Sequence, residues 1–363
     1  MAARVMIGMS GGVDSTVAAL VLLNAGYDCV GATLRLCDDG LSCGADGAAE
    51  ARAAAERLGI PHETFDGTAA FRSDVVDRFV RRYEDGGTPN PCVDCNRHVK
   101  LPLLYGHARA RGCDFIATGH YARTERRDDG RWLLKRGLDA AKDQSYFLYT
   151  MTQELLAHTL FPLGGMTKPQ ARSMAAAHGL QNAEKHDSQD ICFVPDGDYA
   201  SFLRRYTGHD YPPGDFVAED GKPLGRHSGL PAYTVGQRRG LGVSGGRPLY
   251  VLRKQPQTNT IVLGDNDRLF SDTLYADALN LIDRDGLDGP VRCTARIRHT
   301  RGETPCVVTM ADDDAVRVTF DEPQRAVTRG QAVVFYDGDT VIGGGTILGT
   351  DEASLRHRTG GTA

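Results

Sequence analysis

The chain has 363 residues, 41% hydrophobic and 25% charged, with a formal net charge of -5; that length allows two or three domains around sizeable cores. The slight negative balance excludes a globally basic nucleic-acid-binding protein, so an RNA site has to be a local basic patch. No apolar run approaches the about 20 residues of a membrane span and no signal pattern precedes the first strand, which predicts a cytoplasmic protein without membrane partners.

Residues 5–9 form a short apolar run suited to a buried parallel strand, and residues 16–25 are apolar nearly all round, like a buried helix. Between them stands Ser10-Gly11-Gly12-Val13-Asp14-Ser15. Two adjacent glycines let the backbone turn tightly at a helix N-terminus, an arrangement that binds phosphate or pyrophosphate. The hydroxyls of Ser10 and Ser15 can donate to the same oxygens, and Asp14 is a candidate Mg²⁺ ligand. The lysine of a Walker A loop is missing, which favours holding pyrophosphate as a leaving group over γ-phosphoryl transfer.

A second strand is predicted over residues 29–36 and an Ala-rich helix over 46–58, giving βαβ units with the ligand at the strand C-terminal ends, near Leu34. Cys37 and Cys43 bracket an acidic loop, without a second pair at zinc-ribbon spacing. Nine cysteines, an odd number, argue for reduced thiols over a disulfide framework. Two prolines stiffen Thr88-Pro89-Asn90-Pro91-Cys92-Val93-Asp94-Cys95-Asn96. Cys95 precedes a predicted helix through Arg111, whose N-terminal field is expected to lower the thiol pKa; a structural metal pair and a redox disulfide are the competing readings of this CxxC.

A buried strand over 113–118 ends at Gly119-His120-Tyr121, where His120 is either a substrate contact or a satisfied loop histidine. Residues 123–136 read as a charged hairpin with a solvated tip. Lys142-Asp143-Gln144 precede aromatics, a mixture suited to RNA or to a plain helix start. Thr167-Lys168-Pro169 caps a helix running to His178. Cys192 closes a polar loop 97 positions after Cys95. Beyond residue 205 glycine, proline and short strands take over. Arg238 and Arg239 on a glycine loop suit phosphate contact. From about residue 274 the chain is all-β and predicts a small barrel, with Arg292, Arg296 and Arg298 on one basic face.

The hexapeptide resembles the pyrophosphate loop of the N-type ATP pyrophosphatases. The ordered blocks SGGVDS, TPNPCVDCN, ATGHY, KDQSYFL and DSQDICF, with YTVGQRRGLG and VVFYDG after them, resemble the tRNA-specific 2-thiouridylase family over nearly the whole chain. The resemblance implies an α/β protein with an N-terminal parallel-sheet PP-loop domain of the adenine nucleotide alpha hydrolase type (1–205), a small central β-rich tRNA-contacting domain (206–270), a C-terminal β-barrel (271–352) and a tail (353–363). It implies 2-thiolation of the wobble uridine of tRNA, with ATP and Mg²⁺ as cofactors and a persulfide-carrying sulfur-relay protein as partner. Cys95 takes the place of the nucleophile and Cys192 that of the persulfide carrier. ATP is assigned to Gly8, Met9, Ser10, Gly11, Gly12, Val13, Asp14, Ser15, Leu34 and Gly119. The tRNA is assigned to His120, Lys142, Asp143, Gln144, Arg298, His299 and Gln331, with Asn90, Pro91 and Cys92 beside the target base.

Many members of that family carry aspartate where this chain has Cys92, so the acid/base role of that position is open here, and Asp94 is an alternative. Three cysteines also allow a second version of the chemistry, in which Cys92, Cys95 and Cys192 hold a [4Fe-4S] cluster. A non-catalytic tRNA-binding or iron-sulfur protein and an amidating pyrophosphatase are the readings from other classes. Oligomeric state is not legible.

Overall fold

The structure is a computed structural model that describes every residue except 1, 38–40, 42–45, 181–190, 244–245, 301 and 358–363. Its first unit is a parallel sheet built from β1 (Arg4–Gly8), β2 (Asp28–Arg35), β3 (His62–Asp66), β4 (Phe115–Ala117) and, after a hairpin of β5 (Ala122–Arg126) and β6 (Trp132–Arg136), the short β7 (Thr159–Leu160). Strand order is β3-β2-β1-β4-β7. Successive strands step away from β1 in one direction and then in the other, which opens a crevice at its C-terminal end. The hexapeptide sits in that crevice. Alternation along β1 serves both faces: Val5 and Ile7 pack with Ala19, Leu22 and Ala55, whereas Met6 packs with Leu101, Leu104 and Ile116.

The central unit is a four-stranded sheet of β8 (Gly214–Val217), β9 (Pro223–His227), β10 (Tyr250–Gln255) and β11 (Thr260–Gly264) in the order β10-β11-β8-β9. The turn expected at Asp220-Gly221 joins β8 to β9, with Gly221 at φ +84°. The turn expected at Gly245-Gly246 falls partly outside the described residues. The third unit comprises β12 (Phe270–Leu281), β13 (Val291–Arg296), β14 (Thr304–Asp312), β15 (Ala315–Arg325), β16 (Ala332–Asp337) and β17 (Thr340–Gly349). These strands run β12-β15-β14-β13-β16-β17 and close through a β12–β17 pairing into a six-stranded barrel. The tail begins with a 3-10 turn, Glu352–His357.

Two features depart from the sequence reading. The 122–136 hairpin is not simply a solvated tip, because β6 pairs antiparallel with β17 and extends the barrel sheet. Its Arg131 also donates to the carbonyls of Ile282 and Arg284. One hydrophobic core accordingly runs from Met6 and Tyr146 through Tyr149 to Val334, Tyr336 and Val341, binding barrel and first unit together. The basic face of β13 is also not free. Arg292 pairs with Asp321, and Arg296, 13% exposed, pairs with Glu303 and Asp143.

Candidate active site

The glycine loop is shaped by close backbone approaches. Gly11 has φ +75°, and a Cβ there would lie 2.7 Å from the Gly47 carbonyl oxygen, so only glycine fits against the start of the helix Asp46–Leu58. Gly12 caps the helix Val13–Asn24 with extended backbone and without a side-chain bond. The Ser15 hydroxyl donates to the Gly12 carbonyl at 3.1 Å and accepts from the Ser10 N–H at 3.2 Å, tying the loop to the first helical turn. Gly119 presses on the same turn: a Cβ there would meet the Asp14 carbonyl carbon and the Ser15 nitrogen at 2.8 Å. Met9 and Val13 are buried and contribute core packing. Leu34, half-buried at the end of β2, packs toward the cysteine-bearing helices.

Asp14 is engaged by groups that sequence reading passed over. Lys168 Nζ reaches both its oxygens, at 2.8 and 2.7 Å, and the Tyr121 hydroxyl donates to Oδ1 at 2.9 Å. Lys168 had only the appearance of a residue in a capped helix start. The cap is real, a reciprocal Thr167–Gln170 box, but the side chain crosses 154 positions of sequence to the loop. Asp14 is the one carboxylate in residues 8–15, and its oxygens are the donor type that suits a Mg²⁺ keeping waters and phosphates as its other ligands.

The helical run that carries Cys92 and Cys95 packs on the Met6 face of β1, opposite the face that Val5 and Ile7 turn to the helix Val13–Asn24. The turn Pro91–Cys95 runs into a π-helical turn, Asn96–Lys100, and then the helix Leu101–Ala110. Cys95 thus sits inside a continuous helical run and not at its start. Burial pushes its thiol pKa up, with Lys100 opposing the shift, so the lowered pKa expected from a helix N-terminus is not found. Cys192 is 97 residues away in sequence but close enough to Cys95 and Cys92 to feel both; burial and these two neighbours push its pKa up to about 12. The delivery is apolar. Phe193 packs against Phe71, Phe79 and Phe202 in the cluster that also contains Cys95 and Val99. Cys92 and Cys192 keep an edge open to solvent although protein crowds both thiols and desolvates them, while Cys95 is buried. Among the described residues no three His, Cys, Asp or Glu side chains are arranged to hold a metal ion, and nothing favours the cluster ligated by Cys92, Cys95 and Cys192. Cys37 is disulfide-bonded, an exception to the expected reduced thiols, whereas Cys29, Cys92, Cys95, Cys113, Cys192, Cys293 and Cys306 are free; Cys43 and residues 185–190 lie outside the described residues.

The residues assigned to tRNA divide into two groups. His120 and Gln144 flank Tyr121, beyond β4: His120 Nδ1 is 2.8 Å from the Thr118 hydroxyl, and burial pushes its pKa down to about 3, keeping the ring neutral. Gln144 binds the Tyr121 backbone through both its main chain and its side chain, and Lys142 is half-buried. The others are tied into the protein, within one unit for Arg298 and across two for His299 and Gln331. Asp143 is 3% exposed and accepts from the Gly137 and Ser145 N–H groups and the Ser145 hydroxyl. Arg298 donates to the Ala326 carbonyl and Thr328. The His299 ring lies 4.4 Å from that of Phe147. Gln331 donates to the carbonyls of Thr88 at 2.8 Å and Pro89 at 3.4 Å, and Thr88 N–H donates to Arg329, so the barrel grips the loop that carries Asn90, Pro91 and Cys92.

No helix among the described residues is long and apolar enough to cross a membrane. The families described as tRNA methyl transferase HUP domain, tRNA methyl transferase PRC-barrel domain and Aminomethyltransferase beta-barrel domain match residues 3–196, 200–265 and 271–347. The tRNA-specific 2-thiouridylase MnmA of Lachnoclostridium phytofermentans is 46% identical over 354 residues, 95% of this chain and 99% of that protein. Its counterpart in Heliobacterium modesticaldum is 48% identical over 358 residues, covering 96% and 93%. That of Clostridioides difficile is 45% identical over 352 residues, covering 95% and 98%. A glycine loop at the end of β1, a group of thiols around Cys95, and relatives this similar over nearly their full length lead to one conclusion: the chain belongs to the tRNA-specific 2-thiouridylase family.

Proposed function

We propose that this chain carries out the ATP-dependent 2-thiolation of the wobble uridine of tRNA by adenylating the uracil C2 oxygen and delivering sulfur from a persulfide on Cys192. ATP lies along residues 8–15, and the target base is turned out of the anticodon loop into the crevice beside Asn90, Pro91 and Cys92. The C2 oxygen attacks the α-phosphorus; the phosphoanhydride bond breaks and pyrophosphate leaves. Adenylation converts a poor leaving oxygen into AMP. The terminal persulfide sulfur attacks C2, and the C2–O bond breaks with its electron pair going to AMP. The Cys95 thiolate then attacks the Cys192 sulfur. A Cys95–Cys192 disulfide forms, and the transferred sulfur keeps the pair of the broken S–S bond as the 2-thio group. A thiol reductant resets the disulfide, and a persulfide-carrying protein reloads Cys192. Lys100, whose charge acts on Cys92, Cys95 and Cys192 alike, favours the thiolates against burial. Mg²⁺ on the triphosphate would supply charge neutralisation, with Asp14 as the loop's carboxylate.

The observation that carries this reading is the approach of Cys192 to Cys95 across 97 residues of sequence. It is tested with Cys192→Ser and Cys95→Ser, supplied with tRNA, ATP, Mg²⁺ and a persulfide donor. AMP release and tRNA binding are expected to persist in both variants while 2-thiouridine formation stops. Thiolation by Cys192→Ser at the unsubstituted rate would refute the sulfur-carrier role.

A further inference from the structure

The glycine loop lacks a lysine of its own, yet an ammonium group stands on it. Lys168 opens the helix Lys168–Ala177, where its main-chain N–H donates to Asp139 Oδ2 at 2.9 Å, and its Nζ meets Asp14 in a two-pronged contact at 2.8 and 2.7 Å. The side chain of Lys168 is 8% exposed and that of Asp14 is 32% exposed. The ammonium is the deeper partner, and the carboxylate is the one that solvent reaches. A buried ammonium is costly, and an apolar pair would join two helices at least as well. The pair therefore calls for a role beyond packing. Asp14 lies in the first turn of the helix Val13–Asn24, beside the serines and glycines that surround an incoming phosphate. An uncompensated carboxylate at that point repels a triphosphate; one bound to an ammonium does not.

We propose that Lys168 is a positioning residue for the nucleotide: acting through Asp14, it cancels the carboxylate's charge and aims it, with the Tyr121 hydroxyl fixing the same oxygen, so that the loop admits the phosphates of ATP and holds the departing pyrophosphate. The chain thus obtains from a distant helix the cation that its glycine loop omits. Keeping the charged pair, instead of two neutral residues, preserves a carboxylate for the metal that accompanies ATP. This inference rests on the reading of residues 8–15 as the ATP site.

The test measures tRNA-dependent AMP formation against ATP concentration for the full chain and for Lys168→Met, Lys168→Arg and Asp14→Asn/Lys168→Met, with thermal melting to verify folding. Lys168→Met leaves Asp14 without a counter-charge, only the neutral Tyr121 hydroxyl remaining on it, and is expected to raise the ATP KM about tenfold or more. Lys168→Arg keeps the charge and should stay within about threefold. The double variant removes the repulsion with the ammonium and should recover most of the ATP affinity while its kcat stays low, a split that a purely structural ion pair would not produce. An unchanged KM in folded Lys168→Met, or a double variant no better than the single one, would overturn the proposal. If Lys168→Met does not fold, the double variant decides alone: a tenfold raised KM there counts against the charge argument. Absence of AMP formation by the unsubstituted chain would instead overturn the reading of the loop as the ATP site.

Discussion

The rings of Phe79 and Phe193 meet edge to face, 5.2 Å between centroids at an interplanar angle of 85°. Phe79 belongs to the helix Asp77–Glu84, packed in the cluster that buries Cys95, and Phe193 directly follows Cys192. The aromatic contact therefore seats the segment that carries Cys192 in the cluster that buries Cys95, and neither thiol has to bond the other for this packing to persist.

Phe193→Ala should remove this anchor at a cost of about 3–5 kcal/mol of local packing. Thiolation is expected to fall at least tenfold while AMP formation continues. Peptide mass mapping after mild oxidation reads the geometry directly: a Cys95–Cys192 disulfide forming at the unsubstituted yield would show that the anchor is dispensable.

The pKa shifts set a pH dependence. A thiol raised to about 12 is protonated at pH 7, and its thiolate fraction grows about tenfold per pH unit below that value. Alkylation of Cys192 by iodoacetamide should climb between pH 7 and 9 without a plateau. Lys100 favours the thiolate, so Lys100→Met should slow alkylation at every pH in that range. A plateau below pH 9 would contradict the burial argument.

Gly119→Ala places a methyl carbon 2.8 Å from backbone atoms of Asp14 and Ser15, neither of which can rotate aside. Overpacking of this kind costs about 1–3 kcal/mol. The ATP KM should rise about tenfold, whereas persulfide loading of Cys192, followed by gel shift with a thiol-reactive tag, should remain near normal.

Gln331→Ala withdraws a donor from two carbonyls of the loop before Cys92, with an expected loss of about 1–3 kcal/mol. If this residue acts by holding the loop, hydrogen exchange of residues 88–95 should accelerate in the absence of tRNA. Weakened tRNA binding with unchanged exchange would assign it to the RNA instead.

The local order of strand, glycine loop and helix was legible in residues 5–25 because each step depends on neighbours in sequence: an apolar run, two glycines, a second apolar run. The alternation in β13 was legible for the same reason. Its partners were not. Nothing in residues 291–298 announces that Arg296 turns toward Asp143 and Glu303, because ion pairing depends on which strands become adjacent. The hairpin at 122–136 was found as a hairpin, but its pairing with β17 arises from a strand more than 200 positions later. The expected lowering of the Cys95 pKa failed because helical geometry continues on both sides of it, leaving burial to dominate.

By itself the sequence determined the family, the α/β and barrel classes, and the glycine loop with its missing lysine, since these rest on residue type, period and order along the chain. Only the tertiary structure decided that Lys168 pairs with Asp14 and that Phe193 packs in the cluster that buries Cys95. It also joined the barrel to the loop before Cys92 through Gln331. The physical reason is common to all three: buried charges, aromatic rings and exposed carbonyls find partners through space, and the chain folds them together only when its separate cores close.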